Sequence, residues 1–184
     1  MSEKKIAILF PGQGYGKDKP LLYYARKLFL SKGYEVINLE YHDLPPAGKG
    51  DPEAGSRMAH VAYAQLEEQL KDTDLRSYDK VVLCGKSLGS ILCTIFEMYN
   101  KLGAKEIWFT PVEQNFEYGG KGALAFIGNA DPWSRFDKIK ELADKKGTDL
   151  IVYEGCDHSL ECGNVDKDIE TLRDVMRRVE EFIE

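Results

Sequence analysis

Gly85-Lys86-Ser87-Leu88-Gly89 stands between two apolar segments of different character. Before it, Lys80-Val81-Val82-Leu83-Cys84 is short and rich in β-branched residues, and reads as a buried strand. After it, Ser90-Ile91-Leu92-Cys93-Thr94-Ile95-Phe96-Glu97-Met98-Tyr99 is long and apolar enough for a buried helix. A G-x-S-x-G on a strand-to-helix turn is a nucleophile elbow. Such a turn is tight, so the positions two before and two after the serine crowd neighbouring backbone and call for glycine. It lifts the Ser87 hydroxyl clear of the sheet and leaves the Leu88 N–H at a helix N-terminus, where developing negative charge is favoured.

Working outward, strand and helix signals alternate. Ile6–Phe10, Glu35–Tyr41, Lys80–Cys84, Glu106–Thr110, Ala123–Ile127 and Leu150–Tyr153 read as six strands. A helix begins near Asp18 and Pro20 and ends at Gly33, and others cover Ala59–Lys71, about 133–146 and 166–183. In the last, Val165, Ile169, Leu172, Val175, Met176, Val179 and Phe182 make one apolar stripe. His42–Gly55, with its prolines and glycines, and Pro111–Gly122 read as loops. Strands separated by helices predict a three-layer α/β/α sandwich on a mostly or wholly parallel six-stranded sheet. The 184 residues fit one domain.

In such a sheet the active residues gather at the carboxyl ends of the strands. Pro11-Gly12-Gln13-Gly14-Tyr15-Gly16 follows the first strand, Ser87 the third, Gly128-Asn129-Ala130-Asp131-Pro132-Trp133 the fifth, and Glu154-Gly155-Cys156-Asp157-His158-Ser159 the sixth. A serine needs a base to take its proton. Of three histidines, His60 falls in a helix and His42 precedes the serine, so His158 is the expected base. Its carboxylate partner is expected to be Asp131, on the neighbouring loop. Asp157 would have to turn back on its own neighbour's ring, and Asp137 lies in a helix. The other reading of Asp131 is a helix cap near Pro132. Two N–H donors must hold the oxyanion: Leu88, and Gln13 with Gly14 as the alternative. Gly12, Gly14 and Gly16 do not make a dinucleotide fingerprint, because Lys17 occupies the third glycine position. Tyr15, Tyr41, Phe116, Tyr118 and Trp133 are candidates to line a substrate pocket.

These residues resemble the α/β-hydrolase family over nearly the whole chain. Ser87, Asp131 and His158 follow its nucleophile–acid–base order. Gly85–Gly89 is similar to its elbow, and Pro11-Gly12-Gln13-Gly14 to its His-Gly oxyanion loop, with proline in place of histidine. The family usually has eight strands, the second antiparallel. Ile6–Phe10 corresponds to its third, so two are missing here, and Pro111–Gly122 replaces a helix. The resemblance implies a small, lidless serine hydrolase without a cap domain, cleaving esters or thioesters through an acyl-enzyme and needing no cofactor. The other reading is a catalytically silent member of the fold that binds a ligand or partner.

The net charge of −6 and the lack of a basic stripe with interleaved aromatics argue against nucleic acid or an anionic membrane as partner. No apolar run reaches the ~20 residues of a membrane span. Met1-Ser2-Glu3-Lys4-Lys5 leads into a strand without a signal-peptide apolar region, and the four cysteines have no framework spacing. A cytoplasmic chain with reduced thiols is expected. Cys156, Asp157, His158 and Cys162 lack the paired spacing of a zinc site, so no metal is expected.

Overall fold

The computed structural model describes residues 3–184; Met1 and Ser2, the first residues of the segment read as leading into a strand, lie outside them. Six strands form one sheet: β1 Lys5–Phe10, β2 Glu35–Asn38, β3 Lys80–Lys86, β4 Lys105–Phe109, β5 Leu124–Gly128 and β6 Asp149–Tyr153. Their order is β2-β1-β3-β4-β5-β6, and every pair is parallel. The helices are α1 Pro20–Ser31, α2 Pro52–Leu70, α3 Leu88–Asn100, α4 Asn115–Tyr118, α5 Phe136–Lys146 and α6 Val165–Ile183.

Alternation along each strand divides the core into two layers. Ile6, Ile8 and Phe10 of β1, with Leu83, Trp108 and Ile127, pack towards α2, α3 and α5. Ala7 and Leu9, with Val82, Cys84, Phe109 and Phe126, pack towards α1 and α6. The strands are covered on both faces and all parallel, as the alternation of strands with helices predicts.

Helix α2 starts at Pro52, not Ala59. Asp51 accepts a hydrogen bond from the Ala54 N–H at 2.9 Å, and Pro52 occupies the first turn, where its missing N–H costs nothing. The proline thus opens the helix that the sequence reading delayed, and Ala54, Met58, Ala62, Leu66 and Leu70 form its buried stripe at a four-residue spacing.

Strand β2 is shorter than expected, ending at Asn38. Beyond it, two glutamines of α2 stand in for a neighbouring strand. The Gln69 amide accepts from the Glu40 N–H and donates to the Glu40 carbonyl; Gln65 does the same for His42. The backbone of this edge segment is satisfied by side-chain amides.

The α6 stripe is buried only in part. Val175, Val179 and Ile183 meet the sheet, whereas Val165 and Ile169 are 73% and 60% exposed. Pro111–Gly122 is not wholly a loop, since it contains the single turn α4. Phe116 of that turn is 2% exposed and meets Trp108 edge-to-face, with ring centroids 5.5 Å apart.

Candidate active site

The elbow is built by close packing. A Cβ on Gly85 would stand 2.4 Å from the Gly89 carbonyl oxygen, and one on Gly89 only 2.0 Å from that of Phe10. Helix α3 therefore begins in contact with the end of β1. Gly89→Ala forces backbone apart and is expected to cost about 3 kcal/mol or more, as overpacking of a tight core does. Gly16→Ala, with nothing near the added methyl, is expected to be nearly neutral. Chemical denaturation of the two variants checks this.

Ser87 itself has φ 53° and ψ −116°, a conformation L residues rarely adopt. It is held there from several sides. Its N–H donates to the Phe109 carbonyl at 2.9 Å, and its carbonyl accepts from Ser90 N–H at 2.8 Å and Ser90 Oγ at 2.6 Å. Leu88 opens α3, so its N–H has no acceptor within the helix.

Ser87 Oγ is 2.9 Å from His158 Nε2, and His158 Nδ1 is 2.7 Å from Asp131 Oδ2. A carboxylate oxygen only accepts, so Nδ1 carries the proton and Nε2 is left to accept from the serine hydroxyl. The Asp131 side chain is wholly buried and that of His158 is 19% exposed. Asp131 does not cap α5: its second oxygen accepts from the Trp133 N–H at 2.8 Å, fixing the carboxylate, and α5 begins only at Phe136.

The loops bearing Asp131 and His158 are stitched together. Ala130 N–H donates to the Cys156 carbonyl at 3.1 Å, and Asn129 Oδ1 accepts from Gly155 N–H at 2.7 Å. A Cβ on Gly128 would lie 2.0 Å from the Cys156 oxygen. The sequence reading gave Gly128 and Asn129 no role beyond their place in the loop after β5; the signal was the Gly-Asn pair closing β5 just ahead of Asp131.

The loop after β1 is a tight hairpin. Gly12 and Tyr15 exchange backbone hydrogen bonds of 3.1 and 3.2 Å, leaving Gln13 and Gly14 at the tip. Gly14 has φ 67°. A Cβ on Gly12 would be 3.5 Å from Ser87 Cβ, which places the hairpin directly on the elbow. An open groove of about 440 Å³ runs beside this hairpin, lined by Gln13, Tyr15, Lys17, Glu40, Tyr41 and His42 among others. Lys17 and Glu40 form an ion pair across it.

The other expected residues divide. Tyr15 and Tyr41 line the groove, and the Trp133 ring lies 6.0 Å from that of His158. Phe116 is a correction: it belongs to the core beneath α4, because its ring fills the space over Trp108. Tyr118, at the end of α4, is 41% exposed. Asp157 turns away from the ring to accept from Ser159 and Glu161 N–H. His60 is exposed on α2 and Asp137 on α5. All four cysteines are free, with Cys84, Cys93 and Cys156 buried and Cys162 exposed. Among the described residues no helix is long and apolar enough to cross a membrane.

No protein-family model matches the chain, and no curated protein matches it. Solved structures do. An alpha-beta serine hydrolase homologue from Coxiella burnetii matches with a TM-score of 0.67 at 17% identity, over 97% of this chain and 86% of that one. The esterase Pf2001 from Pyrococcus furiosus matches with a TM-score of 0.69 at 13% identity, over 98% and 82%. Est1E from Butyrivibrio proteoclasticus matches with a TM-score of 0.71 at 10% identity, over 99% and 88%. The chain has the α/β-hydrolase fold, in a form with six parallel strands.

Proposed function

We propose that this protein is a serine hydrolase that cleaves small carboxylic esters or thioesters. The observation that carries the reading is the hydrogen-bonded line from Asp131 through His158 to Ser87, on a serine held at φ 53°. In this reading His158 Nε2 takes the proton of Ser87 Oγ as the oxygen adds to the substrate carbonyl. The N–H groups of Leu88 and Gln13 receive the negative charge on the carbonyl oxygen. His158 then gives its proton to the departing alcohol or thiol, leaving an acyl group on Ser87. Water, deprotonated by the same imidazole, releases the acid and restores the hydroxyl.

The named hydrolases and esterases among the structural neighbours agree with this chemistry, although their low identity carries the fold alone. A cytoplasmic setting and a small soluble substrate complete the proposal, with neither nucleic acid nor membrane as partner.

Covalent labelling by a fluorophosphonate tests it, since only an activated serine reacts. The intact protein is expected to label at Ser87; a folded protein that does not label is not a serine hydrolase. Substrate size gives a second expected result. Only the four-residue α4 lies between β4 and β5, and its Phe116 is committed to the core, so no helical cap offers apolar surface to a long chain. Each methylene left in water forgoes about 0.8 kcal/mol. Acetyl to butyryl esters are therefore expected to exceed palmitoyl esters in kcat/KM. Faster turnover of the long chains would overturn this part of the proposal.

A further inference from the structure

Lys86 precedes the nucleophile, yet the proton relay does not use it. Following Val82 and Cys84 on alternate positions of β3, it belongs to the face covered by α1 and α6 and is 1% exposed. A lysine so deeply buried carries a desolvation cost that a methionine or leucine would not. Its ammonium forms no direct ion pair, although Asp131 and Asp157 are near enough to act on it, and it lies over the Tyr15 ring, 4.9 Å from the centroid. That ring is pinned at its far end, where the Tyr15 hydroxyl accepts from the Leu21 N–H at 3.2 Å. The Lys86 stem supports the same hairpin: a Cβ on Gly12 would stand 3.4 Å from Lys86 Cγ and 2.9 Å from the Lys86 carbonyl oxygen.

We infer that Lys86 is a positioning residue, whose cation on Tyr15 and stem beneath Gly12 fasten the Gly12–Tyr15 hairpin to the nucleophile strand and hold the oxyanion donors in register with Ser87. The inference rests on the hydrolase reading. Both ends of the donor pair depend on this fastening: Leu88 is two residues beyond Lys86 on the elbow, and Gln13 sits at the tip of the hairpin. A cation over an aromatic face is a stronger hold when desolvated, as here.

The groups that act on this lysine are the Tyr15 ring from the loop after β1, Asp131 from the loop after β5 and Asp157 from the loop after β6; Asp157 and Glu161 also act on Tyr15, and His158 is bonded to Asp131. Burial pulls the Lys86 pKa down to about 7, with Asp131 and Asp157 opposing. The Tyr15 hydroxyl is pushed up to about 12 by burial, so the ring under the cation stays neutral throughout the working range. The fastening is thus complete below about pH 7 and weakens above it, as the ammonium loses its proton.

The test uses Lys86→Met, Lys86→Arg and Tyr15→Leu in the intact chain. Misplacing reacting groups by about 1 Å can cost on the order of 10²-fold. Lys86→Met is expected to lower kcat some 10- to 100-fold with KM little changed, because oxyanion donors engage fully only in the transition state. The parent is expected to lose kcat as pH rises above about 7; that alkaline decline should vanish in Lys86→Arg, whose guanidinium stays charged, and in Lys86→Met. Tyr15→Leu should lower kcat alike, and adding Lys86→Met to it should cost little more.

Stability separates this role from a structural one. With its pKa lowered from the ordinary 10.5, the folded chain binds fewer protons than the unfolded chain between about pH 7 and 10.5. Stability therefore rises with pH across that window, and the burial penalty is greatest below it. Lys86→Met should raise the Tm near pH 6 and change it less near pH 10, while activity falls. A Tm lowered at both pH values would make the lysine a structural prop and overturn the inference. So would a labelled, active parent whose Lys86→Met variant keeps the parental kcat and pH profile. A parent that fails to label overturns the hydrolase reading, and this inference with it.

Discussion

Ser87→Ala is expected to abolish fluorophosphonate labelling and lower kcat on the order of 10⁶-fold, the scale reached when the serine of a catalytic triad is removed. The fold should survive. The backbone bonds that hold the elbow, from Ser87 N–H to the Phe109 carbonyl and from Ser90 N–H to the Ser87 carbonyl, do not involve the hydroxyl. Alanine also inherits the positive φ without adding bulk, so circular dichroism and the unfolding midpoint should stay near the parental values. What is lost is the single oxygen 2.9 Å from His158 Nε2. A variant that labels as strongly as the parent would move the nucleophile elsewhere and overturn the proposed mechanism.

Asp131→Asn should be nearly as damaging, at about 10⁴-fold in kcat, with the geometry kept. The amide oxygen can still accept from the Trp133 N–H, so the loop stays folded. The amide nitrogen, however, can donate to His158 Nδ1, which reverses the tautomer and puts a proton on Nε2 where the serine proton must go. Asp157→Asn is the control. That carboxylate accepts from Ser159 and Glu161 N–H within its own loop, and asparagine keeps one accepting oxygen. A loss of about tenfold or less is expected there, and less still for the exposed Asp137. If Asp157→Asn proved the crippling change and Asp131→Asn nearly silent, the acid would be misassigned.

Asp51-Pro52 was read as part of a loop because proline and glycine break helices. At the first turn the same proline begins one, and the Asp51 cap completes it. The strand signal through Tyr41 was sound locally, since the backbone at Glu40 and His42 is hydrogen-bonded as an edge would be. Its partner is the pair Gln65 and Gln69, remote in sequence and invisible to any periodicity. Phe116 carries no mark in the sequence that tells a pocket wall from a core residue; its contact with Trp108 decides.

By itself the sequence determined the class of fold and the inventory of chemical groups. Apolar runs of strand length alternating with helical ones can be buried only as a parallel sheet covered on both faces, and Gly-x-Ser-x-Gly between two of them leaves few other turns. Those are local signals, set by side-chain volume and backbone freedom over a few residues. The tertiary structure decided that residues 71 and 27 positions apart come within hydrogen-bonding distance at one sheet edge. It also decided that Gly128 brings two loops into contact, and that a lysine ends up beneath the loop beside Ser87. Such meetings depend on strand order and on the packing of remote segments, which short-range pattern does not encode, because the energies that settle them arise only once the whole core is assembled.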